Sequence, residues 1–550
     1  PMQNPTPPNL QASNDNSFHQ GIFRIGGPYA KYVLALLVLI YSMNLLDRQI
    51  LAILAEEIKA DLGISDSQMG FLYGTSFAVF YAVFGLPLGR LADLWVRKSL
   101  IALGLVVWSG MTMLSGTASG IMSLTFYRFG VGVGEASATP SAYSLLSDWF
   151  LPDQRSTILS LYSTGAYIGM GMSMFLGGLI VDTWNLTYPD IAEAPFGIKG
   201  WQVTFLIIGI PGILLAALFN TVKEPVRGYS EGMVGQQNHP HPFRESWLEL
   251  MSIIPPVSFF VLYKKDKGGR NFWTNIIFAT ALTSACSMLI WSTGSISQWI
   301  VIGIGLYAVF SWAQSLKLRD FPTYSLIFRS RAMIYANFAF PTVTFITFGY
   351  ALWMAPYLIR RFDVDLSEVG MVLGASTAIF GGLGVAFGGA MADFLRRKVS
   401  PDAHAYMPIV TAVPTSILAL VVLNADNLQT VYIANAALQF VAVLWSGAGS
   451  GIVTSLVLPR MRASASAFYL AMTTFLGLSS GPYLIGYLSD NFAENGMSSA
   501  EALRQSLQLG LLAFVVVIVF SVLLKRHLLV ALETRQERAH AAGEPIHAAS

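Results

Sequence analysis

The chain of 550 residues contains a single cysteine, Cys286, so neither an intramolecular disulfide nor a paired-cysteine metal or redox motif is available to it. Charge is scarce too: Asp, Glu, Lys and Arg make up 12% of the residues, against roughly 25% in ordinary globular domains. The net charge of +2 excludes a strongly basic nucleic-acid binder. The histidines, at 19, 239, 241, 404, 527, 540 and 547, are all expected in tails or loops, so histidine is not the expected proton carrier within the apolar segments. No HExxH and no GxxxxGK[ST] pattern occurs, which gives no reason to expect a metal, a nucleotide cofactor or an enzyme. Residues 1–16 lack the basic start and apolar core of a signal peptide and read as a disordered tail.

What the chain has instead is apolar sequence: 54% hydrophobic residues and a mean hydropathy of +0.56 mark a polytopic membrane protein. At about 1.5 Å per residue, a run of some twenty apolar residues crosses a hydrocarbon layer of roughly 30 Å. Such runs fall at 32–54, 69–88, 99–119, 121–147, 157–181 and 201–222, and again at 334–358, 370–391, 406–423, 431–458, 465–488 and 507–524. Between the two sets lies a polar stretch with KEPVR, QQNHPHP and YKKDKGGR, an expected short amphipathic helix near 247–260, and two further runs at 274–290 and 299–316.

Fourteen crossings are therefore expected, the added pair forming a hairpin that turns at 292–297. Positive charge collects in alternate loops (Arg90, Arg97, Lys98, Arg155, Lys223, Arg227, then 317–331), and Glu56, Glu57, Asp61, Asp190 and Glu193 lie on the other side. The positive-inside rule then puts both termini in the cytoplasm. The expected organisation is a tail at 1–30, a six-helix bundle at 31–222, a linker with the hairpin at 223–330, a second six-helix bundle at 331–527 and a tail at 528–550.

The halves are related in sequence. GRLADLWVRK (Gly89, Asp93, Arg97, Lys98) recurs as GAMADFLRRK (Gly389, Asp393, Arg397, Lys398) at an offset of 300 (389 − 89), and LPDQR recurs as LPRMR at 307 (459 − 152). Two motifs in one order at nearly one offset indicate parallel repeats related by an axis along the membrane normal, with a site at mid-depth between them. The sequence resembles the major facilitator superfamily of transporters. GRLADLWVRK resembles its loop motif, Tyr127 to Gly132 its helix-four motif, and Gly165, Gly169, Gly171, Gly177 and Gly178 its glycine-rich fifth helix, without the usual Gly-Pro pair. NLLDRQILA and FGVGVGEASATPSAYSLLSDWF resemble the Spinster branch. The resemblance implies an all-α membrane protein of two six-helix bundles, here with an inserted two-helix hairpin. It also implies a secondary transporter, not an enzyme, in a bacterial inner membrane, monomeric and working by alternating access on lysophospholipid- or sphingosine-1-phosphate-like anions. A small organic anion such as a sugar acid is the alternative cargo, and a transport-dead receptor the alternative class.

The residues carrying this expectation are ionisable groups inside apolar runs, where each charge costs at least ~2.5–3.5 kcal/mol at mid-bilayer. Asp47 and Arg48 lie in the first run; Arg128 and Glu135, seven apart, share a face of the fourth. Antiparallel helix directions put Asp47 about 13 Å below Glu56 and Arg128 about 8 Å below Ser123, so an Asp47–Arg128 pair is expected with Glu135 nearby. Asp47 and Glu135 are the candidate proton-coupling groups, protons being the only coupling species expected, and Arg48 and Arg128 the candidate substrate-binding groups. Asp93, Arg97, Asp393 and Arg397 are the candidate gating groups, the aspartates meeting helices that start near Ser464 and Ser156. At the repeat offsets Asp47, Arg48, Arg128 and Glu135 map to Thr347, Phe348, Asn435 and Ala442, so the second half is expected to be the apolar wall, with Phe345, Phe348, Tyr350 and Trp353 as candidate lining.

Overall fold

The computed structural model describes residues 24–151, 154–225, 227, 230, 240–254, 256–267, 269–458 and 461–544, and every regular element within them is a helix. The 1–16 tail, Pro152 and Pro459 of the repeated LP motif, most of QQNHPHP, and His19, His239 and His547 lie outside the described residues, as does the Arg155 side chain. The first bundle comprises α1 (Pro28–Ile53), α2 (Asp66–Leu94), α3 (Arg97–Ser115), α4 (Ile121–Glu135 continued by Ala138–Trp149), α5 (Arg155–Thr187) and α6 (Gly200–Asn220). The hairpin is α7 (Arg270–Thr293) and α8 (Ile296–Arg319). The second bundle comprises α9 (Arg331–Phe362), α10 (Leu366–Val399), α11 (Ala403–Asn424), α12 (Leu428–Ser455), α13 (Arg462–Met472, then Thr473–Ser479 and Ser480–Glu494) and α14 (Ser499–Glu533). Among the described residues, 12 helices are long and apolar enough to cross a membrane, both hairpin helices among them.

The ends of the elements carry the differences from expectation. α14 runs well beyond 507–524 at both ends: Ser498 caps it by accepting from the Glu501 amide, and Lys525, Arg526 and His527 continue it past the last apolar residue. Basic side chains suit a helix C-terminus, so His527 sits in a helix and not in a loop, its Nδ1 2.9 Å from the Leu523 carbonyl oxygen. His404 likewise lies in the first turn leading into α11. The expected single helix near 247–260 is two, Pro242–Ile253 and Val257–Asp266, with Pro256 at the start of the second.

The halves meet along two seams, α2 against α13 and α5 against α10. A Cβ at Gly70 or Gly74 would strike the Pro482 or Leu478 carbonyl, and one at Gly370 or Gly374 the Met174 or Gly171 carbonyl. These Gly-x-x-x-Gly pairs stand at the repeat offset of 300 (370 − 70), so each half contributes one small-residue face on which backbone packs against backbone. Widened helical turns at Phe71–Thr75 and Thr473–Ser479 lie on the first seam, and Thr75 and Ser479 hydroxyls join across it at 2.8 Å. Ser479 belongs to GLSSG (477–481), which has the spacing of a serine-hydrolase elbow but lies within a helix, not on the strand-to-helix turn that such a nucleophile needs.

The hairpin packs its α8 face on α2, with Gly305 against Val79 and Phe475, whereas α7 buries almost nothing but Asn275. Asn275 donates to Gln314 (2.5 Å) and Ser311 (3.2 Å) and accepts from Tyr307 (2.7 Å), a polar seam that fixes the register of an otherwise apolar hairpin. A lipid-facing α7 predicts that, in a Cys286→Ser background, a cysteine at Ser292 is labelled by an impermeant maleimide from outside intact cells. One at Arg319 is expected to be labelled only after permeabilisation, and inside labelling of both would refute a spanning hairpin.

Candidate substrate cavity

Between the halves lies a cavity of about 300 Å³, walled by α1, α5, α9, α10, α11, α12 and α13. Its sole charged lining residue among the described ones is Arg48. Arg48 donates to Glu135 Oε2 at 2.8 Å and lies over the Phe77 and Tyr81 rings at 4.3 and 5.1 Å. Glu135 is fully buried, which fits the need for a desolvated guanidinium to have a carboxylate partner.

Asp47, Glu135 and Arg128 stand behind this wall and do not line the cavity. Arg128 is 1% exposed and reaches α1, at the depth the helix directions imply, but its Nη1 donates to the Asp47 main-chain carbonyl at 3.3 Å and not to the carboxylate. The Asp47 carboxylate faces Thr112 and Trp108 of α3. The expected Asp47–Arg128 ion pair is thus replaced by an Arg48–Glu135 pair, and Arg128 is not placed to hold a ligand in the cavity. Consecutive residues on a helix diverge by about 100°, and here Arg48 faces the cavity with Gln49 while Asp47 turns toward α3 and α4.

The second-half wall is more polar than expected. The positions equivalent to the four charged residues, Thr347, Phe348, Asn435 and Ala442, all line the cavity. Of the four candidate aromatics, Phe348 and Tyr350 line it, whereas Trp353 is buried with its indole N–H on the Pro482 carbonyl and Phe345 presents its backbone to Gly481.

At the end of the bundle formed by the α2–α3 and α10–α11 connections, the candidate gating residues bond within their own halves. Arg97 is buried and joins Glu224 (2.7 Å), Asp148 (2.5 Å), Ser144 (2.8 Å) and the Pro225 carbonyl (3.2 Å), stapling α3 to α4 and to the segment after α6. Asp93 has Arg227, Arg90 and Arg97 as its charged neighbours. Asp393 pairs with Arg396 at 3.3 Å, and Arg397 is exposed. Among the described residues, neither Asp93 nor Asp393 bonds to the opposite half; the Ser156 side chain at the expected partner of Asp393 lies outside them. Replacing Arg97 with methionine is expected to cost about 3–5 kcal/mol and lower the unfolding temperature, because it removes the guanidinium that pairs with both Glu224 and Asp148 in a buried site. Arg397→Met is expected to change stability by less than about 0.5 kcal/mol. Thermal unfolding of the two variants in detergent checks the contrast.

At the opposite, distal end the halves are tied, through Glu56 of the acidic loop set and through Arg360, Asp66, Asp182 and Asp490, which the sequence alone does not mark as a site. Arg360 at the end of α9 donates to both Glu56 oxygens (2.7 and 3.2 Å) and both Asp66 oxygens (2.7 and 2.8 Å). Lys59 and the Ser489 hydroxyl also bond Asp66. Asp490 accepts from the Asp66 and Ser67 amides at the start of α2, and Asp182 from the Ser367 amide at the start of α10. Ser67 and Ser367 stand 300 apart (367 − 67) and Asp182 and Asp490 308 apart (490 − 182), so the caps repeat the symmetry of the halves. The signal available in the sequence was Arg360, a cation followed by a second one, Arg361, at the end of an apolar run on the side that the positive-inside rule leaves poorer in basic residues.

The family model of the Major Facilitator Superfamily matches residues 37–482. An MFS-type efflux pump of Mycolicibacterium smegmatis is 27% identical over 494 residues, covering 88% of this chain and 90% of that protein. Protein spinster homolog 1 of Homo sapiens is 25% identical over 550 residues (95% and 86%), and a probable L-galactonate transporter of Escherichia coli 22% over 463 (83% and 83%). The solved structure of a bacterial homolog to the human lysosomal transporter Spinster, inward-facing and unoccupied, aligns at a TM-score of 0.62 with 24% identity, covering 93% of this chain and 98% of that one. With two six-helix halves, a cavity between them and a family match over most of its length, the chain belongs to the Major Facilitator Superfamily.

Proposed function

We propose that this protein is a Spinster-like secondary transporter that moves single-chain amphiphilic anions of the lysophospholipid type across a bacterial inner membrane. The observation that carries the reading is the cavity: one cation, Arg48, set among Leu45, Met174, Phe348, Met354 and Leu438, a lining that suits an anionic head joined to an apolar chain. An even number of crossings puts both termini on one side, and the positive-inside rule makes that side the cytoplasm; on this reading the tied distal end is the outer face and the conformation is inward-open. Asp93 and Asp393 are then free to engage the opposite half when the cytoplasmic side closes. Protons are the proposed coupling ion, carried by Asp47 and Glu135. Because Glu135 holds Arg48, protonating Glu135 frees the guanidinium for an anion, and binding an anion at Arg48 favours protonated Glu135 by the same coupling energy.

A sugar acid is the second reading, favoured by the amide and hydroxyl groups on the second-half wall and by the similarity to a probable L-galactonate transporter. Uptake by proteoliposomes of a radiolabelled lysophospholipid and of glucuronate, each with and without an inward proton gradient, tests the choice. The expected result is lysolipid uptake that the gradient changes severalfold. Glucuronate uptake alone would overturn the amphiphile reading, and neither would overturn transport of either class.

A further inference from the structure

Three buried polar groups on the second-half wall have no use in the mechanism above. Asn435 of α12, Thr415 of α11 and Tyr350 of α9 are 0%, 3% and 5% exposed, all line the cavity, and Asn435 Oδ1, Thr415 Oγ1 and Tyr350 Oη have no hydrogen-bond partner among the described residues. A buried polar group without a partner costs about 1–3 kcal/mol, so three on one wall form a place shaped for a polar ligand group.

The orientation of Asn435 is set by its neighbour. The Ser376 hydroxyl gives its hydrogen to the Val372 carbonyl, so its oxygen is left to accept the Asn435 amide N–H at 3.4 Å. That commits the amide nitrogen to Ser376 and leaves Oδ1 as an acceptor without a partner on a residue that lines the cavity. Thr415 differs from its helix neighbour Thr411, whose hydroxyl folds back on the Met407 carbonyl. Its own hydroxyl makes no such bond.

We infer that Asn435, Thr415 and Tyr350 form a second, uncharged subsite that takes a hydroxyl group of the ligand, opposite the cation at Arg48. An acceptor with two adaptable hydroxyls calls for a donor. A ligand ammonium is disfavoured, because among the described residues the cavity lining contains no carboxylate to offset its desolvation. A hydroxyl donates to Asn435 and accepts from Thr415 or Tyr350 without carrying charge into the site. The inference rests on the proposed reading of the cavity and sharpens it: the cargo is an anionic amphiphile with a free hydroxyl, such as the glycerol hydroxyl that a lysolipid has and a diacyl lipid lacks. The subsite would make the transporter select against cargo in which that hydroxyl is acylated or alkylated, since the three groups would then be buried without a donor.

The test is equilibrium binding to the full-length protein of 1-acyl lysophosphatidic acid and of its 2-O-methyl ether, which differ by one hydroxyl donor. Wild-type protein is expected to prefer the free hydroxyl by about tenfold or more. Thr415→Val, which keeps the shape, and Asn435→Leu are each expected to bring the two probes within about threefold, and Thr415→Ser to retain the preference. Equal binding of the probes by wild type, or an undiminished preference in both Thr415→Val and Asn435→Leu, overturns the subsite. If lysolipids do not bind but glucuronate does, and Asn435→Leu weakens it about tenfold, the amphiphile reading fails and the hydroxyl subsite stands. Glucuronate binding indifferent to Asn435, or no binding of either class, overturns both.

Discussion

Arg48→Gln protein is expected to lose uptake of an anionic amphiphile by about a hundredfold or more, whereas Arg128→Gln protein binds the same ligand within a few-fold of wild type. The argument is one of position. Arg48 lines the cavity and has one face on Glu135 and the rings of Phe77 and Tyr81, while Arg128 is behind that wall with its guanidinium on a main-chain carbonyl. Removing Arg48 has two effects that must be separated: it takes away the anion's partner, and it leaves Glu135 buried without its ion pair, a loss of about 3–5 kcal/mol in stability. The double variant Arg48→Gln, Glu135→Gln removes both charges and is expected to regain most of the stability and none of the binding. Thermal unfolding and ligand binding on the same preparations check it. Binding retained in the double variant, or lost in Arg128→Gln at unchanged stability, would show that the anion is held elsewhere.

Much of this arrangement was legible because it follows from energies that act locally. Ionisable residues inside runs long enough to cross a bilayer are costly wherever they point, so Asp47, Arg48, Arg128 and Glu135 stood out, and helix direction put Arg128 and α1 at one depth, as found. Which atom Arg128 would reach was not legible. The side chain has to choose between a carboxylate and a carbonyl on the same turn, and that choice depends on Trp108 and Thr112 of α3 supplying the Asp47 environment. The repeat was legible in its charged loop motifs, where Arg97 and Arg397 nevertheless have unlike surroundings: one is buried by the chain following α6, and the other is at a solvent-facing end. The same offset carried Gly70, Gly74, Gly370 and Gly374, but a small residue announces a close approach only once the partner backbone is known. The polarity of the second-half wall was hidden for a related reason. Threonine and asparagine in an apolar run usually satisfy themselves on their own helix, and only the observed geometry shows that Thr415 and Asn435 Oδ1 do not.

Arg360→Gln is expected to release the distal closure, the outer one in the proposed orientation, and carry the population toward a state open at that end. Arg360 and Asp66 are nearly buried, with side chains 7% and 6% exposed, and the guanidinium bridges two carboxylates of the opposite half, so its loss costs the closed state about 3 kcal/mol. That is about a hundredfold in the equilibrium between the states, enough to turn a closure populated at 99% into an even mixture. The amide caps from Asp490 and Asp182 persist in the variant, so the outer ends should exchange instead of separating permanently. Glu57, on the short helix Ala55–Leu62 beside this closure, adds a pH dependence: burial first, then the nearby Asp182 carboxylate, push its carboxyl above the usual range, against opposing help from Asn185 and Lys199. A raised carboxyl pKa means the closed state binds the proton more tightly than an open state in which Glu57 is hydrated. Falling pH through the range above Glu57's ordinary value therefore favours closure, and rising pH opposes it. Spin labels on cysteines at Leu186 and Ala493, in a Cys286→Ser background, read the outer separation by pulsed electron resonance. The expected result is a long-distance population that is minor in wild type, dominant or equal in Arg360→Gln, and less sensitive to pH in Glu57→Gln. Superimposable distance distributions for wild type and Arg360→Gln would remove Arg360 from the closure.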